Sequence, residues 1–168
     1  MSAHIIRGIA MSILFVCLGN ICRSPLAAAV ARKRFAEAGL AVEIDSCGTG
    51  GWHAGHGADP RSIEVAEAAG YVLRDHRARQ LRADDYARFD YLLAMDADNL
   101  AELRRQRPQH GGAEPRLFLD AAGLGARPVP DPYYGDLDDF RHVLGLVEQG
   151  VDGMLARWRA AAESVGLN

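Results

Sequence analysis

The sequence predicts a single α/β domain built as a doubly wound, four-stranded parallel sheet with helices on both faces. Three observations carry that reading. Short apolar runs alternate with segments of helical pattern along the chain. The first and third runs are continuously apolar rather than alternating, as expected of strands covered on both faces. The length of 168 residues, with 49% hydrophobic and 24% charged residues, suits one domain that needs no disulfide or metal staple.

Residues 1–11 read as an N-terminal extension without an assigned function, and residues 12–168 as the domain. Ile13-Leu14-Phe15-Val16 is the first strand. Ser24-Pro25 then supplies an N-cap and a proline at the first helical position, opening a helix from Leu26 to Ala38 that ends near Gly39. Val42-Glu43-Ile44 is a short second strand, and Asp59-Pro60 opens a second helix that closes near Gly70. Tyr91 to Met95 is the third strand, followed by a helix from Asn99 to Gln106 that Pro108 stops. Arg116 to Leu119 is the fourth strand. Pro128, Pro130 and Pro132 keep the next segment from being helical. Asp138 to Ser164 reads as a closing helix despite Gly145, Gly150 and Gly153.

Charge and cysteine content narrow the function classes. A formal charge of −3 offers no general attraction to nucleic acid or to an anionic membrane. The apolar run Ile9–Val16 is far short of the ~20 residues that span a bilayer, and no small-residue cleavage site follows it. Three cysteines, an odd number, do not form a secreted disulfide framework. A cytoplasmic location is expected. No pair among Cys17, Cys22, Cys47, His53 and His56 has zinc-ligand spacing, so no metal is expected.

In an open parallel sheet the ligand site lies at the carboxyl ends of the strands, which directs attention to the turn after the first strand. It reads Cys17-Leu18-Gly19-Asn20-Ile21-Cys22-Arg23-Ser24-Pro25. Such a turn can curl so that its backbone N–H groups converge, with the following helix adding the positive end of its dipole. Arg23, where the loop closes, offers a fork of donors to two phosphate oxygens. A cysteine beneath that field is favoured as the nucleophilic thiolate. The turn is therefore a phosphate-binding loop with Cys17 at its floor. It lacks the glycine spacing and lysine of an ATP-binding loop. Far away, Asp131-Pro132-Tyr133-Tyr134-Gly135 places a carboxyl group between prolines, suited to general acid and base work. Taken alone, a cysteine at a strand end is more often a small core residue, and Asp-Pro-Tyr-Tyr-Gly more often a plain turn.

Together, Phe15 to Pro25 and Asp131 to Gly135 resemble the low-molecular-weight protein tyrosine phosphatases. The likeness runs from Ser12 onward, through Gly50-Gly51-Trp52-His53, Ala58-Asp59-Pro60-Arg61, His76 to Gln80 and Phe89 to Asp96. The resemblance implies hydrolysis of phosphotyrosine and small aryl phosphates, with Cys17 as the nucleophile of a phosphocysteine intermediate. It implies Arg23 as the phosphate clamp and Asp131 as general acid and then base. It also implies that Leu18, Gly19, Asn20, Ile21, Cys22 and Ser24 form the loop, with Asn20 and Ser24 bracing it and His76 backing the asparagine. Trp52, Tyr133 and Tyr134 would wall the cleft, and in the family the tyrosine pair can itself be phosphorylated. Cys22 would be the redox partner that captures an oxidised Cys17 as a disulfide. No cofactor is implied.

The implied partner is a tyrosine-phosphorylated protein, such as a bacterial autophosphorylating tyrosine kinase, with phosphate or another oxyanion in the loop and the chain a monomer or weak dimer. Three rivals are weighed against this. An arsenate reductase relays oxidation through later cysteines, and none follows Cys47. A phosphoarginine-directed branch carries Thr where this chain has Ile21. A non-catalytic phosphotyrosine-binding module is expected to have lost Cys17 or Asp131, and both are present.

Overall fold

β1 spans Met11–Cys17, and its residues alternate between two cores because both of its faces are covered. Ile13, Phe15 and Cys17 join one apolar cluster, while Leu14 and Val16 join the other. The structure is a computed structural model that describes residues 11–164. Residues 1–10 of the expected extension lie outside the described residues. Met11, counted with that extension, is the first residue of β1 and pairs with Val42.

The remaining elements follow as α1 (Arg23–Glu37), β2 (Val42–Gly48), α2 (Pro60–Ala68), α3 (Asp85–Arg88), β3 (Tyr91–Ala94), α4 (Ala97–Gln106), β4 (Arg116–Leu117), α5 (Phe118–Ala121) and α6 (Leu137–Ser164). The strands form one sheet in the order β2-β1-β3-β4, and every pairing is parallel. This is the four-stranded doubly wound sheet that the sequence predicts. β1 lies at its centre, so the turn after β1 opens where the strand order reverses. Among the described residues no helix is long and apolar enough to cross a membrane.

Two local readings need correction, and one element carries no sequence signal. Ser24 does not cap the first helix: α1 begins at Arg23, with Cys22 at the cap position and no side-chain cap bond. The Ser24 hydroxyl is turned instead toward Cys17 and Asn20. The fourth strand stops at Leu117, because Phe118 and Leu119 turn into α5. There the fully buried Phe118 ring meets Phe15 edge-on, with centroids 5.2 Å apart. The short helix α3, unmarked by periodicity, carries the buried Asp85, whose carboxylate takes both terminal nitrogens of Arg79 at 3.0 Å.

The Asp59-Pro60 helix signal does hold. Asp59 caps α2 by accepting from the backbone N–H of Arg61 at 2.9 Å, with Pro60 next in line. Asp96 caps α4 in the same way, accepting from the Asn99 N–H at 2.8 Å.

The glycines of α6 have unequal reasons to be there. A Cβ on Gly150 would lie 2.3 Å from Cζ of Phe118, and one on Gly153 would lie 2.4 Å from the Ala122 carbonyl oxygen. A Cβ on Gly145 would meet nothing within 4 Å. Gly145→Ala is therefore expected to stabilise the protein by about 0.5–1 kcal/mol through helix propensity. Gly150→Ala is expected to destabilise it by about 1–3 kcal/mol, since the buried ring must move. Urea denaturation of the two variants checks the opposite signs.

Candidate active site

Cys17 ends β1 and is 2% exposed, at the floor of a cavity of about 260 Å³. Leu18, Gly19, Ile21, Cys22 and Arg23 from the loop line it, together with Trp52, His53, Asp131, Tyr133 and Tyr134. The expected nucleophile, clamp, acid and aromatic walls thus surround one space. Asn20, Ser24 and His76 lie behind it.

The loop curls because Asn20 takes a left-handed backbone conformation, φ 57°, which Asn tolerates better than most residues. That turn aims the Asn20 N–H at Cys17 Sγ, 3.3 Å away. The fully buried side chain is then satisfied on every side. Its Nδ2 donates to Ser24 Oγ and to Ser46 Oγ, each at 2.9 Å. Its Oδ1 accepts from the Arg79 N–H at 2.9 Å. The Asn20 carbonyl meets His76 Nε2 at 2.7 Å, so this nitrogen carries the proton. Burial pushes the His76 pKa below its ordinary value, only partly opposed by that bond, and the ring stays a neutral donor.

Ser24 Oγ accepts from Asn20, which leaves its own proton to be directed at Cys17 Sγ, 2.9 Å away, or at the more distant Cys47 carbonyl at 3.4 Å. A bond of this kind strengthens when the sulfur carries charge. Gly48 allows the loop to close over the sheet edge: a Cβ there would lie 2.7 Å from the Leu18 carbonyl oxygen and 3.1 Å from the Asn20 nitrogen.

Arg23 opens α1 yet is 2% exposed. Its Nη1 donates to Asp96 Oδ2 at 2.6 Å and to the Val129 carbonyl at 3.0 Å, and its Nη2 stands 3.8 Å from Asp131 Oδ2. Burial alone would lower its pKa, but Cys17, Asp96 and Asp131 outweigh it and the net direction is up. The guanidinium is thus a fixed positive charge at the edge of the cavity. Cys22 is treated oppositely: burial first, then Asp59, Cys17 and Asp131, push its thiol up to about 12. Cys22 is thereby held protonated.

The walls are apolar and open to solvent, with Trp52 71% and Tyr134 97% exposed. The Trp52 ring lies across Gly50, where a Cβ would come within 1.9 Å of it. Tyr133 and Tyr134 meet edge-on with centroids 5.0 Å apart. The structural roles of Asp96, Arg79 and Ser46, and the place of His53 on the cavity wall, are not legible from sequence: Asp96, Arg79 and His53 sit within the blocks of resemblance, and Ser46 carries no local signal. Among the described residues no group of three His, Cys, Asp or Glu is placed to hold a metal ion.

Residues 12–164 match the family described as low molecular weight phosphotyrosine protein phosphatase. The chain is 48% identical over 157 residues to the low molecular weight protein-tyrosine-phosphatase of Streptomyces coelicolor, covering 90% of this chain and 95% of that one. It superposes on a protein tyrosine phosphatase of Entamoeba histolytica that holds Hepes in its active site, with TM-score 0.83 and 36% identity over 90% of this chain and 98% of that one. A Drosophila arginine phosphatase shares the fold at TM-score 0.81 and 27% identity, over 88% of this chain and 98% of that one. With the cysteine loop, the arginine and the aspartate gathered on one cavity, these likenesses have a common meaning: the chain belongs to the low molecular weight phosphotyrosine protein phosphatase family.

Proposed function

We propose that the protein hydrolyses phosphotyrosine and small aryl phosphates through a phosphocysteine intermediate, without a cofactor. The observation that carries this reading is the convergence of Cys17, Arg23 and Asp131 on one small cavity with aromatic walls. The phosphate seats among the loop N–H groups and Arg23, which stabilise the charge that spreads over its oxygens as transfer proceeds. The Cys17 thiolate attacks phosphorus, the bond from phosphorus to the phenolic oxygen breaks, and Asp131 gives that oxygen its proton. Asp131, now a carboxylate, takes a proton from water as the water attacks the phosphocysteine. Inorganic phosphate leaves, and the returning thiolate is met by the Ser24 hydroxyl. Trp52, Tyr133 and Tyr134 flank the path to Cys17, so an aryl group can stack while its phosphate reaches the floor.

The physiological substrate in this reading is a tyrosine-phosphorylated protein, a bacterial autophosphorylating tyrosine kinase being the first to test. The chain acts in the cytoplasm as a monomer or weak dimer. Ile21 lines the cavity at the position where the phosphoarginine-directed branch carries Thr, which supports the tyrosine preference.

Two outcomes are expected. In EDTA, Cys17→Ser abolishes hydrolysis of every aryl phosphate. Asp131→Ala lowers kcat/KM about 10²–10⁴-fold on phenyl phosphate, whose leaving group needs a proton, and has little effect on 2,4-dinitrophenyl phosphate. Steady-state kinetics on both substrates checks this, and equal losses on the two would remove Asp131 as the leaving-group acid. Second, peroxide converts Cys17 to a sulfenic acid; the Cys22 thiol then displaces water from it to give a disulfide. Thiol treatment is expected to restore most activity to the peroxide-treated wild type and much less to Cys22→Ser, which has no sulfur to divert Cys17 from further oxidation.

A further inference from the structure

Arg61 stands outside the cavity lining, yet it joins the two halves of the catalytic machinery. It sits in the first turn of α2, beside the capping Asp59. The Asp59 carboxylate holds one edge of the guanidinium, with Nε to Oδ1 at 3.0 Å and Nη2 to Oδ2 at 2.9 Å. Asp59 is itself buried, and its backbone N–H donates to the Ile21 carbonyl at 2.8 Å, which fixes this pair to the phosphate-binding loop. From that anchor the guanidinium reaches across to the acid loop. Nη2 donates to the Tyr133 carbonyl and Nη1 to the Gly135 carbonyl, each at 3.0 Å. Its plane also rests on two rings, with Cζ 4.4 Å from the Phe140 centroid and 5.8 Å from that of Tyr133.

Among the described residues, these two guanidinium bonds are the only hydrogen bonds that tie residues 131–135 to another part of the chain. The others here are internal: Gly135 N–H to the Pro132 carbonyl at 2.8 Å, and Tyr133 N–H to Asp131 Oδ1 at 3.1 Å. The latter bond means that moving the Tyr133 backbone moves the carboxyl group with it. Asp131 has only the 3.8 Å approach of Arg23 to hold it from the other side. Only an arginine has a fork that can take a carboxylate on one edge and two carbonyls on the other.

We propose that Arg61 is a positioning residue for the general acid, setting the height of Asp131 above Cys17 through Asp59 on one side and the Tyr133 and Gly135 carbonyls on the other. The proposal rests on the reading of Asp131 as leaving-group acid. Arg61 touches neither phosphate nor nucleophile, so its effect is confined to steps that need the Asp131 proton. A displacement of about 1 Å in a reacting group can cost on the order of 10²-fold in rate.

The test compares kcat/KM for wild type, Arg61→Ala, Arg61→Lys, Asp131→Ala and the Arg61→Ala/Asp131→Ala double variant on phenyl phosphate and 2,4-dinitrophenyl phosphate. Inhibition by inorganic phosphate and thermal denaturation report whether the loop and fold are intact. Arg61→Ala is expected to lose about 10–10²-fold on phenyl phosphate, to lose little on the dinitrophenyl ester, and to bind phosphate normally. Arg61→Lys, which keeps charge but not the fork, falls between and carries the test if the alanine variant folds poorly. In the double variant the Arg61 change is expected to add nothing to the loss from Asp131→Ala alone. Equal losses on both esters, or losses that multiply in the double variant, would overturn the proposal while leaving Asp131 as the acid. If Asp131→Ala itself were indifferent to the leaving group, the acid assignment would fail and the Arg61 proposal with it.

Discussion

The turn between β1 and α1 curls back on Cys17, and the backbone cannot do this for free. The strain is concentrated at Asn20, a non-glycine residue with positive φ, a conformation that persists only where its surroundings hold it. Here four neighbours do so. Ser24 at the start of α1, Ser46 in β2 and the Arg79 backbone each meet one part of the Asn20 amide, and His76 meets its carbonyl. A buried amide left unpaired costs about 1–3 kcal/mol, so the loop geometry and the packing of its neighbours are one energetic unit.

The segment that backs the loop is fixed in turn by charge. Arg79 forms a forked pair with the buried Asp85 and also reaches Asp45 at 3.1 Å, which pins the His76–Leu81 strip against the end of β2. The strip also joins the sheet edge directly, with Gly48 N–H donating to the Arg79 carbonyl and Leu81 N–H to that of Gly48. Cys17, the Asn20 brace and the backing strip are thus layered outward from the cavity, each held by the next. The forked bond from Arg79 is what lets a helix of only four residues keep the buried Asp85 carboxylate.

Much of this was legible in the sequence, for reasons that are local. The continuous apolar run before Cys17 announces a strand covered on both faces, and Asp59-Pro60 announces a helix start, because each signal lies within a few residues of its effect. Ser24 shows where local reading fails. Ser-Pro is a sound helix-start signal, yet the hydroxyl is drawn to a sulfur seven residues back and an amide four residues back. Phe118 shows the same from the apolar side: strand-like by composition, it is bent into α5, where its ring packs on Phe15 and under Gly150. Asp96 caps its own helix and clamps Arg23 with the other carboxylate oxygen. Half of that double duty is invisible without the partner 73 residues away.

The bonds of Arg23 also bear on how the chain comes to work at all. The Arg23 guanidinium, near the start of the domain, meets Asp96 just beyond β3 and the Val129 carbonyl, 106 positions from Arg23 itself. Contacts of such sequence separation form late and slow folding, since a long loop must close before they can repay it. A growing chain that has emerged only through β3 holds Cys17 and Arg23 but neither Val129 nor Asp131, and so lacks the residue proposed as the acid. In the proposed mechanism, catalytic competence is therefore withheld from any N-terminal fragment that ends before Asp131.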